Sequence, residues 1–203
     1  METKLAKTIS FIFHPLLIPT YALIILFNLH AYFSLLISQT SKWQIIGLVF
    51  IITFILPLFF IFLLKKNNVI TSYYMYNREE RTFPFLVTAI FYFLAYYLFR
   101  QIQIAPLFYF FILGSTLLII ITMIINFFWK ISIHMVAIGG LLGTLLGISL
   151  IFKVIIPFLI LLVIFCSGLI GFARIKLNSH NPLQVYVGFL TGASIMLLLF
   201  LLI

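Results

Sequence analysis

The chain repeats one pattern from end to end: an apolar run of about 20 residues, the length a helix needs to cross the hydrocarbon of a bilayer, closed by a short polar patch. Inside that hydrocarbon no water reaches the backbone, so every N–H and C=O must be paired within the protein, by helices or by a closed barrel. Barrel strands alternate lipid-facing and lumen-facing residues with a period of two. These runs do not alternate, which predicts helices. Spans are expected at about 11–33, 43–64, 83–99, 104–128, 132–152, 154–172 and 182–203. The expected fold is all-α, a polytopic transmembrane helix bundle of seven spans, or six if one run does not cross, forming a single domain over residues 1–203. Hydrophobic residues are 65% of the sequence and charged residues 7%, against about a quarter charged in soluble domains, so no separate soluble domain fits. Lys4 and Lys7 ahead of the first run mimic a signal peptide, but the run is too long and lacks a small-residue cleavage site, so it reads as a retained first span.

Twelve Lys and Arg face three acids. In a soluble chain that balance would suggest nucleic acid; here membrane topology explains it, and no nucleic-acid partner is expected. With seven spans, the N-terminus and the loops after spans two, four and six share one face, which holds Lys4, Lys7, Lys65, Lys66, Arg78, Arg81, Lys130, Arg174 and Lys176. The other face holds Lys42, Arg100 and Lys153. The positive-inside rule makes the crowded face cytoplasmic, and the expected location is a bacterial inner membrane.

The acids are Glu2, Glu79 and Glu80, with no aspartate anywhere. Phosphoryl chemistry through an aspartyl nucleophile, or through Mg²⁺ on an aspartate cluster, needs carboxylates this chain lacks. The single cysteine, Cys166 in the sixth span, allows neither an internal disulfide nor a multi-thiolate metal site. No cofactor and no metal are expected.

Three polar patches at span ends carry the chemistry. ARIKLNSHNPLQV sets Arg174 and His180 six apart, with Gln184 four beyond the histidine; WKISIHM holds Lys130, Ser132 and His134; YNREERTFP holds Arg78 and Arg81. All three fall on one face of the expected topology. Arginine forks and a lysine point charge suit phosphate oxygens, and backbone N–H groups at a helix start, where Ser132 lies, point at an anion. In phosphoryl transfer such fixed donors stabilise the charge spread over the equatorial oxygens. One imidazole can then attack phosphorus while another protonates the leaving alkoxide.

The order and spacing of these residues resemble the type 2 phosphatidic acid phosphatase superfamily, which includes glucose-6-phosphatase and the vanadium haloperoxidases. Its third motif, Arg, five residues, His, three residues and a carboxylate, is similar to Arg174, His180 and Gln184; its second, Pro-Ser-Gly-His, to Ile131, Ser132, Ile133 and His134. The first motif, a Lys seven residues before Arg-Pro, is met loosely by Arg78, Arg81 and Pro84, with Tyr74 at the lysine position. The likeness spans residues 77–192. It implies His180 as the nucleophile that forms a phosphohistidine, His134 as acid for the leaving group, and Arg174, Arg81 and Ser132 as phosphate ligands. Gln184 stands where the family has Asp, so it can orient His180 but brings no charge.

The expected function is metal-independent dephosphorylation of a phosphorylated membrane lipid at headgroup depth. Undecaprenyl pyrophosphate, phosphatidylglycerophosphate, phosphatidate and phosphorylated lipid A all fit as substrates. Gln184 motivates an alternative, a lapsed enzyme that binds or transports lipid phosphates, and a lipid phosphotransferase is a third. Other residues have simpler readings. His14 and His30 read as isolated anchors near the first span, and Tyr73, Tyr74 and Tyr76 as an interfacial belt or a lid. Gly139, Gly143 and Gly147 on the fifth span, and Gly188 and Gly192 on the seventh, predict close packing of those two helices. That packing would set His134 beside His180. Asn181 and Pro182 fit the cap and first position of the last helix.

Overall fold

A computed structural model describes residues 2–202 apart from His30, Tyr74, Tyr76 and Gln103, so the readings placed on His30, Tyr74 and Tyr76 lie outside the described residues. The regular structure described is helical throughout. Seven helical stretches among the described residues are long and apolar enough to cross a membrane, and the protein is an integral membrane protein with the expected all-α fold.

The first stretch, Glu2–Asn28, starts earlier than expected and is broken. Helix α1 (Glu2–Ile12) buries Ala6, Ile9 and Ser10 and exposes Lys4, Lys7 and Thr8, so its polar residues do not end it; they occupy one face. Pro15 then forces His14 out of the α region, to φ −61°, ψ 133°, and a 3₁₀ turn (Pro15–Leu17) leads into α2 (Ile18–Asn28). A short α3 (Tyr32–Leu35) follows.

The second stretch runs through α4 (Gln39–Phe50), a π turn (Ile51–Ile55) and α5 (Leu56–Lys66). The widened turn precedes Pro57, whose ring and missing N–H disrupt regular α pairing to the Thr53 carbonyl. A 3₁₀ turn (Glu79–Arg81) opens α6 (Thr82–Gln101), and α7 (Pro106–Phe128), α8 (Ile133–Phe152), α9 (Pro157–Lys176) and α10 (Pro182–Leu201) complete the chain. Helix α9 continues to Lys176, not 172, which places Arg174 in its last helical turn instead of in the loop.

The helices gather into two compact units, Met1–Ile18 with Ile124–Ile203, and Pro19–Met123. In the first, α8 packs most extensively on α10. A Cβ at Gly139 or Gly143 would strike the carbonyl of Phe189 or Ala193, and one at Gly192 the carbonyl of Val136. Glycine at these points is what lets the two backbones touch, as the sequence predicts. In the second unit, buried threonines bond within their own helices: Thr53, Thr88, Thr116 and Thr122 donate to the carbonyls of Val49, Pro84, Ile112 and Leu118 at 2.6–2.9 Å. Phe27 and Phe108 pack there with ring centres 4.6 Å apart.

Candidate functional site

The turn between α9 and α10 fixes Arg174 and His180. Asn178 takes a left-handed conformation (φ 50°), the Asn178 N–H donates to the Ile175 carbonyl at 2.9 Å and the Ser179 N–H to the Arg174 carbonyl at 3.1 Å. This paired closure of a helix end turns the chain sharply and delivers His180 to the start of α10. There Asn181 and Gln184 cap the helix reciprocally, as Asn181 Oδ1 accepts from the Gln184 N–H at 2.9 Å and Gln184 Oε1 from the Asn181 N–H at 3.2 Å. Because that N–H can only donate, the Gln184 atom facing it is the oxygen. The same oxygen lies 3.0 Å from His180 Nδ1, so Nδ1 carries a proton and donates it there, which orients the buried ring.

Ser132 and His134 open α8. The Ser132 N–H donates to the Gln184 carbonyl at 3.4 Å, and Gly188 admits α10 to this point, since a Cβ there would lie 2.9 Å from the Ser132 carbonyl. Ser132 is fully buried at the cap position, yet its hydroxyl makes no cap bond and has no partner among the described residues. Arg174 shares this property. Its Nη1 donates to Ser10 Oγ at 3.3 Å, while its buried Nε has no partner among the described residues. An unpaired buried polar group costs about 1–3 kcal/mol, more when charged, so two of them on one contact network mark a place shaped for a polar partner.

Residues 10 and 14 complete the network, and sequence reasoning missed both. His134 Nε2 lies 3.3 Å from the Ser10 carbonyl, which can only accept, so Nε2 is the protonated nitrogen. His14, expected to be isolated, has its ring edge-on to His134 with centres 5.9 Å apart, and its Nδ1 accepts the Leu16 N–H at 3.4 Å. The available signal was the His14–Pro15 pair, an ionisable residue at a forced helix break inside an apolar run. The charges acting on the His134 ring are those of Arg174, His14 and His180, with no carboxylate among them. Glu2, the one acidic side chain of this unit, pairs with Lys176.

The structure thus joins Arg174 and His134 through Ser10, and His180 and Ser132 through Gln184, with Ser132 and His134 two residues apart at the start of α8. Lys130 lies half-buried just ahead of Ser132. Arg78 and Arg81 belong to the other unit. There the buried Arg81 donates from Nε to the Met75 carbonyl at 3.1 Å, and the exposed Arg78 sits 3.6 Å from Glu79. Tyr73 is exposed on the same loop. Among the described residues no three His, Cys, Asp or Glu side chains converge as a metal ion would require. No protein family, curated protein or solved structure matches the chain.

Proposed function

We propose that the protein is a membrane-embedded phosphatase of lipid phosphates or diphosphates, a divergent relative of the type 2 phosphatidic acid phosphatases, working through a phosphohistidine. The observation that carries this reading is a pair of buried donors without a partner among the described residues: Arg174 Nε, on a side chain that shares Ser10 with His134, and Ser132 Oγ, at the cap of the helix that carries His134. A phosphoryl group supplies the acceptors both lack, and the cationic surroundings favour its charge. His180 Nε2 attacks phosphorus as the bond to the leaving lipid oxygen breaks, while Gln184 holds the ring by Nδ1. For the leaving group His134 enters as the imidazolium, favoured by the phosphate bound beside it: its Nε2 proton stays on Ser10 and a second proton, on Nδ1, passes to that oxygen and leaves the ring neutral. Water, deprotonated by His134, then cleaves the P–N bond and releases phosphate. Arg78 and Arg81 enter only through the resemblance. A site at headgroup depth takes its substrate sideways from the bilayer, and the charge bias favours the cytoplasmic face of a bacterial inner membrane.

Gln184 favours a second reading. A neutral amide orients His180 without stabilising an imidazolium, which suits a lipid-phosphate binding or transport protein. Incubating the detergent-purified protein with ³²P-labelled lipid phosphates, with EDTA present, separates the two. Steady phosphate release with an acid-labile labelled histidine is expected. Tight binding without release or label would overturn the phosphatase reading in favour of the binder, and a label passed to an acceptor other than water would make the protein a phosphotransferase.

A further inference from the structure

We propose that Ser10 is a positioning residue of the anion site, so that the first helix builds the site together with the ends of α8, α9 and α10. The inference rests on the lipid-phosphate reading above and extends it to a segment outside all three family-like patches.

Pro15 interrupts the backbone pairing of the first helix. Lacking an N–H, it cannot serve the Phe11 carbonyl four residues back, and the His14 N–H takes that carbonyl instead, at 3.2 Å. His14 is therefore withdrawn from the Ser10 carbonyl, its regular helical partner. The released carbonyl receives His134 Nε2 at 3.3 Å, which fixes the ring's orientation and tautomer. From the same residue the hydroxyl accepts Arg174 Nη1 at 3.3 Å. One residue thus holds the proposed acid by its backbone and the proposed phosphate clamp by its side chain, across more than a hundred positions of sequence. With Nη1 anchored, the guanidinium is held in one plane, and its unpartnered Nε is presented in a fixed direction. Nothing in α1 requires this for its own folding, since Ala6 and Ile9 already provide its buried apolar face.

Ser10→Ala deletes the hydroxyl and keeps the carbonyl. KM for the lipid phosphate and the Kd for orthovanadate, measured by calorimetry on the full chain in detergent, should each rise about tenfold, the effect of one lost hydrogen bond to a charged group. The kcat should fall less and the melting temperature should hold. Ser10→Thr, which keeps the hydroxyl, should restore both constants. Thr8→Ala removes another hydroxyl of α1, an exposed one bonded only to Lys4, and should change nothing. An active wild type whose Ser10→Ala variant keeps its KM and vanadate affinity would overturn this inference and leave the phosphatase reading standing. A wild type that binds vanadate without turnover still reports the Ser10 effect through Kd. A wild type that neither binds vanadate nor turns over would overturn both.

Discussion

Arg81 and Arg174 both stand where an apolar helix meets a loop, and they are used differently. Around Arg81 the loop consumes its own charges. Arg81 Nε donates to Met75, Lys65 Nζ donates to the Thr71 carbonyl at 2.6 Å, the Thr71 N–H donates to Glu80 at 3.0 Å, and Arg78 faces Glu79. Around Arg174 two bonds run between helices, to the hydroxyl and the carbonyl of Ser10, and a third ties His180 to the Gln184 amide at the start of α10. The first pattern stitches a long connection to itself. The second leaves the buried Nε–H of a guanidinium without a partner among the described residues, a state that an anion would relieve. The same residue type at a span boundary can close a loop or wait for a ligand; only its partners tell which.

The comparison breaks most severely at His180. If the 174–184 region is the chemical one, His180→Ala should lower turnover by about 10⁴-fold or more, as losing a nucleophile does, and remove the phosphoenzyme label. Near-wild-type rates in that variant would end the assignment.

The two arginines themselves come next. Arg174→Ala should lower kcat/KM by about 10²- to 10³-fold, the range for losing one fixed donor to a developing anion. Arg81→Ala should act first on stability, by about 1.5–3 kcal/mol for a hydrogen bond from a charged group, seen as faster proteolysis of the 67–78 connection. Equal catalytic losses with intact folding in both variants would erase the distinction and restore Arg81 to the phosphate set implied by the resemblance.

A smaller effect separates glycines that pack from glycines that do not. Gly192→Ala drives a methyl into the Val136 carbonyl between α8 and α10 and should destabilise by about 1–3 kcal/mol. Because α8 carries Ser132 and His134, and α10 begins with Gln184 in its first turn, activity should fall with it. Gly168 on α9 has open space around its Cβ position, so Gly168→Ala should be silent in both thermal melts and turnover. Equal melting temperatures would mean that the α8–α10 contact does not set the site.

These contrasts also show what the sequence could reveal. The spans were legible because burial in lipid makes hydrophobicity continuous, and the glycine stripes because only glycine permits such approach. Asn181 and Pro182 announced the start of α10 by cap chemistry, and Gln184 was correctly placed one turn from His180. The start of the first span was not legible, because α1 is one-sided and a hydropathy run does not register a helix that is polar on one face. Ser10 was invisible for a different reason. Its part in the site comes from a carbonyl released by Pro15 and a partner far along the chain, and neither leaves a mark in local composition.

The smallest effect tests how the neutral amide beside His180 is used. Gln184 Oε1 accepts from His180 Nδ1 at 3.0 Å and from the Asn181 N–H at 3.2 Å. Gln184→Glu keeps the length and both acceptor roles but adds the negative charge that the resembling family carries as Asp. A carboxylate beside the ring favours the imidazolium, so Nε2 becomes a lone-pair nucleophile only at higher pH. The acidic limb of the kcat/KM profile should therefore move up by about one pH unit, with the maximal rate nearly unchanged because the ring's orientation is preserved. A limb that moves down, or stays in place, would show that His180 does not titrate in the step and that the nucleophile lies elsewhere in the network. A large gain in maximal rate would instead identify the natural glutamine as the feature that restrains this site.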